Sequence, residues 1–330
     1  MTGSSSTSAS LGSRGRIRAL VPLMAALVVV VGCLWWPRVP EGQRFADAAL
    51  AEMDAGWFAF GPRWDLARAE AWEGTRGAVT VEEAITPLKR ALWVAGGSHS
   101  SLYRPRGSLA DSEKELPGVV TRNGISTITV PGVLSWDEEF LERFATMLAA
   151  DIEMARGATS CGWILDLRGN GGGNFMPMLA GLSALLPDGK VAGFRTRIEE
   201  QSVELRDGQV VTGGEVVFKV HPHPKTHKSI AVVQSRWIGS SGELILLAFN
   251  EQPNARSFGE PSTGLTTVNK TVVMDEYGYW MNLTVGLMTN RNGRAYTVQF
   301  GDEIHGAPVP PDVRSATPDV DAEEWLRARC

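Results

Sequence analysis

The sequence predicts an α/β fold with a partly parallel sheet, preceded by a small helical region. Three observations predict it. Trp163 to Leu167 is an apolar run that reads as a buried strand, and Met176, Leu179, Leu182, Leu185 and Leu186 follow at helical spacing, with Gly169, Gly171, Gly172 and Gly173 between. Strand and helix patterns alternate from Gly124 to Phe249, which implies crossovers between parallel strands. From Phe45 to Trp93 the chain is helical in character, with Ala-rich stretches and a break at Gly61-Pro62.

At 330 residues the chain has room for one large core and a smaller attached region. A net charge of -5, with no dense Lys/Arg patch beyond the N-terminus, argues against nucleic acid as a partner. Arg14, Arg16 and Arg18 precede an apolar run from Ala19 to Val31 that stops at Gly32-Cys33, so residues 1–36 read as a signal peptide or membrane anchor. Lipidation at Cys33, in the pattern of a bacterial lipoprotein signal, and an uncleaved anchor with Trp35 and Trp36 at the membrane interface both fit. Either way the body of the protein is exported and tethered to the membrane or cell envelope. Cys161, just before the buried strand, reads as a small buried hydrophobe in preference to a disulfide partner of Cys330, the last residue, a pairing the sequence allows without supporting; no disulfide framework is expected.

Residues 37–44 read as a linker, 45–95 as a helical N-terminal domain whose tryptophans are core, and 96–330 as the core domain. Thr80-Val81-Glu82-Glu83 is a capping box before a helix ending near Val94. Gly124 to Val130 alternates into a strand, and Trp136 to Ala155 carries Phe140, Phe144, Met147, Leu148 and Ile152 on one helical face. Val203 to Lys219 reads as a hairpin around Asp207-Gly208, and Ser229 to Gln234 as the next strand. Gly239-Ser240-Ser241-Gly242-Glu243 then opens a helix through Phe249, and Val272 to Phe300 reads as two hairpins turning at Asp275 to Gly278 and at Asn290 to Gly293.

Three chemistries use a glycine turn between a strand and a helix. A dinucleotide site requires glycine where Asn174 stands, and a phosphate-binding loop requires Gly-Lys-Ser/Thr where Asn174-Phe175-Met176 stands. An oxyanion hole requires only main-chain N–H groups, with a nucleophile and a base elsewhere. Ser240, at a helix start, is favoured as a simple cap by the pattern alone, with a nucleophile as the functional alternative. His99 follows Gly96-Gly97-Ser98 on a loop, where a histidine is usually structural. His221, His223 and His227 lack a nearby acid or thiol, so no metal site is expected.

In this order, Gly97-Ser98-His99-Ser100, Asp166-Leu167-Arg168-Gly169-Asn170-Gly171-Gly172-Gly173, Ser240-Ser241-Gly242-Glu243 and Gly259-Glu260-Pro261-Ser262-Thr263-Gly264-Leu265 resemble the C-terminal processing (tail-specific) serine peptidases, in particular the branch related to the tricorn protease core. The resemblance runs from about Phe45 to Val313. It implies a crotonase/Clp-protease-like core of ββα units, a peptide or protein substrate and no cofactor. It also implies Ser240 as nucleophile, His99 as general base, and Glu303, with Asp302 adjacent, as the acid that orients the imidazole. The oxyanion amides would come from Ser241 and from Gly172, with Gly173 as near alternative. Leu265 stands where relatives with a Ser/Lys dyad carry lysine, so that mechanism is excluded at this position. Between His99 and the glycine turn there is too little chain for the PDZ domain of many such peptidases. The alternative, on the same fold, is a non-catalytic protein that binds a peptide or an apolar ligand, as the retinoid-binding relatives do.

Overall fold

A computed structural model describes residues 39–105 and 115–330; the targeting segment and Cys33 lie outside the described residues. Helices α1 (Glu41–Met53), α2 (Gly61–Gly74) and α3 (Val81–Gly96) come first, followed by β1 (Ser101–Tyr103). Phe45, Ala49, Leu50 and Met53 on α1 and Ala84, Leu88, Ala91 and Leu92 on α3 form apolar stripes at helical spacing. The two stripes bury together with Met281 and Leu283.

Helix α1 starts inside the stretch read as linker. Its first turn is docked, because Gly42 and Gln43 donate to the Val79 and Ala78 carbonyls, and a Cβ at Gly42 would lie 2.2 Å from the Thr80 oxygen. The cap before α3 also differs from expectation: Glu83 accepts from the Val79 N–H at 2.8 Å, and the Thr80 side chain makes no cap bond. Trp64 is buried as expected, whereas Trp72 and Trp93 are exposed.

Next come β2 (Gly118–Arg122), β3 (Ile125–Thr129), α4 (Glu138–Ala155), β4 (Gly162–Asp166) and α5 (Phe175–Gly181). An antiparallel excursion follows, with β5 (Gly189–Thr196), β6 (Glu200–Arg206), β7 (Gln209–Thr212) and β8 (Glu215–Lys219). The chain then returns through β9 (Ile230–Gln234), α6 (Ser241–Phe249) and β10 (Ala255–Gly259). It ends with β11 (Thr267–Met274), β12 (Tyr279–Asn290), β13 (Thr297–Phe300), β14 (Glu303–Gly306), β15 (Val313–Arg314) and α7 (Pro318–Arg327).

One sheet has six strands in the order β15-β10-β9-β4-β3-β2, parallel except for β2. The other has seven, in the order β1-β12-β5-β6-β7-β8, with β11 also paired to β12. Residues of both sheets share one apolar core with α4, α5 and α6, among them Phe144, Leu148, Leu165, Val232, Ile245 and Val203. This is the mixed α/β core that the strand and helix alternation predicts. The carboxyl ends of β4 and β9 both lead into helix starts, so the glycine turn and the turn at Ser240 emerge side by side.

Two expectations are corrected at the C-terminal end. The turn at Asn290 forms, with Asn290 donating to the Arg294 carbonyl, but β13 pairs with β14 and not with β12. Cys161 and Cys330 form a disulfide across a separation of 169 residues. The cause is topological: α7 folds back over the six-stranded sheet, packing Ala322 and Leu326 on Ile164, Ala231 and Val233, which returns the last residue to the start of β4. No helix among the described residues is long and apolar enough to cross a membrane.

Candidate active site

The glycine turn is shaped from its own side chains outward. Asn170 is fully buried; its Nδ2 donates to the Val130 carbonyl at 3.2 Å and its Oδ1 accepts from the Gly172 N–H at 3.0 Å. Val133 runs alongside, donating to the Gly172 carbonyl at 2.9 Å and accepting from the Asn174 N–H at 2.7 Å. The Gly172 N–H, expected to serve as an oxyanion donor, is therefore committed to Asn170. That of Gly173 has no partner among the described residues. Both glycines have φ above +100°, and a Cβ at Gly173 would lie 2.0 Å from the Val133 oxygen.

Ser240 begins α6 at φ 52° and ψ -123°, a backbone conformation that a residue with a side chain adopts only when its surroundings enforce it. The enforcing contacts are visible. Gly239 N–H donates to the Asn170 carbonyl at 3.2 Å, Ser241 Oγ donates to the Gly173 carbonyl at 2.5 Å, and the Ser240 N–H donates to Glu243 Oε2 at 3.0 Å. Glu243 is itself fully buried, and its Oε1 accepts from Ser262 Oγ at 2.5 Å and the Gly264 N–H at 2.7 Å. Burial pushes its carboxyl up to about 7, against hydrogen bonds from Ser262, Gly264, Ser240 and Leu265 that favour the charged form. The Ser241 N–H is in the first turn of α6, where no intrahelical acceptor exists. Gly173, Ser240 and Ser241 border one cavity of about 530 Å³, with Phe175, Phe194 and Met288 on its apolar wall and Asn269 and Thr267 on its polar wall.

His99 closes the short turn after α3. Its Nδ1 lies 2.6 Å from Thr267 Oγ1, and its carbonyl accepts from Asn269 Nδ2 at 3.4 Å and Asn282 Nδ2 at 3.3 Å. Burial lowers its imidazole to about 4. Thr267, which touches His99, also lines the cavity that Ser240 borders, and no hydrogen bond among the described residues joins His99 to Ser240.

No hydrogen bond among the described residues joins Glu303, expected to orient the imidazole, to His99. Glu303 and His305 share a face of β14, so Glu303 Oε2 lies 3.0 Å from His305 Nε2, and its Oε1 forms an ion pair with Arg63 of α2. The Trp57 indole N–H donates to the Ile304 carbonyl at 2.8 Å, and the Phe58 ring packs on His305 with centroids 4.4 Å apart. These contacts fasten the β13-β14 hairpin to the helical region and hold Glu303 between Arg63 and His305. Asp302, its neighbour, is exposed in the hairpin turn. The His221 and His223 rings lie 5.6 Å apart, and among the described residues no group of three His, Cys, Asp or Glu could hold a metal ion. Asn170, Val133 and Thr267 are the site residues that sequence patterns missed. Asn170 stood inside the glycine motif, but Thr267 carried no local signal, because its role depends on strand register.

A family model described as Peptidase family S41 matches residues 127–315, more than half of the chain. The chain belongs to peptidase family S41. Among similar sequences, the nisin-resistance protein of Lactococcus lactis subsp. lactis is 29% identical over 325 residues, spanning 94% of this chain and 98% of that one. The carboxy-terminal processing protease CtpA of Bacillus subtilis (strain 168) is 26% identical over 189 residues, 57% of this chain and 36% of that one. A solved lipoprotein from Streptococcus agalactiae shares the fold with a TM-score of 0.72 at 23% identity, over 88% of this chain and 98% of that one. Membership of S41 carries serine-peptidase chemistry and a peptide or protein substrate as properties of the family.

Proposed function

We propose that this S41 chain is an exported serine peptidase that cleaves peptide bonds through an acyl-enzyme on Ser240, with His99 as general base. The carrying observation is the strained Ser240 backbone beside the Gly173 and Ser241 amides at one cavity. His99 Nε2 takes the proton from Ser240 Oγ as Oγ bonds to the substrate carbonyl carbon. The carbonyl oxygen becomes an oxyanion between the two N–H groups. Collapse breaks the C–N bond, and the departing amine takes the proton from the imidazolium. Water then attacks the ester, His99 takes its proton, and the acid leaves as Ser240 Oγ is reprotonated. An oxyanion donor of this kind lowers the barrier by about 3 kcal/mol.

The basic and apolar N-terminal segment supports tethering at the cell envelope, and a relative that is a lipoprotein agrees with it. A full-length relative named for nisin resistance makes protection against nisin a candidate role. The second reading, a non-catalytic protein that binds a peptide or an apolar ligand, draws on the missing Ser240–His99 hydrogen bond and the apolar cavity wall.

A fluorophosphonate probe separates the two readings. Labelling of Ser240, abolished in Ser240→Ala and reduced by at least about 100-fold in His99→Ala, is the expected outcome. Folded wild-type protein that stays unlabelled would sink the peptidase reading in favour of the binding one.

A further inference from the structure

The geometry points to Thr267 as the residue that positions His99, holding the imidazole in the tautomer that leaves Nε2 free as the base. This inference rests on the peptidase reading and deepens it.

Among the described residues three hydrogen bonds hold His99, all from β11 and β12. Asn269 and Asn282 donate to its carbonyl, which fixes the backbone, and Thr267 Oγ1 meets Nδ1 at 2.6 Å, which fixes the ring. Asn269 is fixed in turn, because its Oδ1 accepts from Thr284 Oγ1 at 2.8 Å. Beside Thr267 the β11–β12 register shifts, between Val268 and Asn269. Such a bulge re-aims side chains, and here the consecutive residues Thr267, Val268 and Asn269 all line the cavity. With Nδ1–H donating to Thr267 Oγ1, the lone pair lies on Nε2; with the hydroxyl donating to Nδ1, Nε2 would carry the proton and could not accept one from Ser240.

Among the described residues no carboxylate is hydrogen-bonded to His99. Glu303 is held by Arg63 and His305, and Phe58, which packs on His305, also lies against Gly97 on the turn that carries His99. A hydroxyl and a carboxylate differ in consequence. Both select the tautomer, but only the carboxylate adds an opposite charge that favours the imidazolium. The low proton affinity of His99 has burial as its cause, with no charged neighbour among the described residues contributing, which agrees with a neutral partner.

The test uses the full-length chain with Thr267→Val, which keeps the β-branched shape and removes the hydroxyl, and Thr267→Ser, which restores a hydroxyl. Fluorophosphonate labelling of Ser240 should slow about 10-fold or more in Thr267→Val and stay within about 3-fold of wild type in Thr267→Ser. Nitrogen-labelled histidine adds a readout that mere packing would not move. By NMR, the wild-type His99 signal should report Nδ1–H, and Thr267→Val should shift it toward Nε2–H. Wild-type labelling rates and an unchanged His99 signal in folded Thr267→Val would overturn the role of Thr267 while the peptidase reading stands. Absence of labelling in the folded wild type would overturn both.

Discussion

Ser240 is strained in its backbone, and His99 is half-buried. The strain at Ser240 is of a kind that costs about 1–3 kcal/mol, and it persists because Asn170, Gly173 and Glu243 each hold one part of the turn. Burial of His99 decides its useful pH range. An imidazole accepts a proton only when neutral, so lowering its pKa extends the active form toward acid. Ser240 labelling followed from roughly pH 3 to 8 should therefore hold down to mild acidity and fall only as pH drops through about 4. A solvated histidine would place that limb near 6.5, and finding it there would mean that the ring is not shielded as described.

At the level of elements, the glycine turn and the start of α6 are pressed together closely enough that single atoms matter. A Cβ at Gly172 would lie 2.8 Å from both Ser240 Cβ and the Gly239 oxygen, on a backbone with φ +109°. Gly172→Ala should destabilise the protein by about 1–3 kcal/mol in denaturant unfolding and abolish Ser240 labelling, because the two turns must move apart. Gly169→Ala is the control within the same motif. Its Cβ would meet nothing within 4 Å, so unfolding should change by no more than about 0.5–1 kcal/mol and labelling should persist. Equal effects of the two substitutions would show that the close approach is not what shapes the site.

The molecule as a whole is closed by its last helix. Helix α7 is tied to the parallel sheet by its apolar face, by Arg168 bridging Asp166 and Asp319, and by the Cys161–Cys330 disulfide. That disulfide lies at the entry to β4, whereas the glycine turn lies at its exit. Reduction should thus lower stability by about 2–5 kcal/mol, read as a shift in the denaturation midpoint with and without reductant. Ser240 labelling of the still-folded reduced protein should be unchanged. A loss of labelling without unfolding would mean that the C-terminal helix supports the site directly.

Sequence alone determined the parallel α/β core, the glycine turn, the helix start at Ser240 and the family to which they belong. Each of these is written in short-range spacing: the apolar run of β4, the glycines after it, the helical period of α4 and the motif order. Tertiary structure alone decided which amide of the turn is free, what touches His99, which partners hold Glu303 and that Cys161 meets Cys330. His99 and Thr267 are 168 residues apart and Ser241 and Gly173 are 68 apart, so each contact follows from strand register and crossover geometry. Local periodicity tells which face of a strand is buried, but not which side chain of a distant strand it will meet.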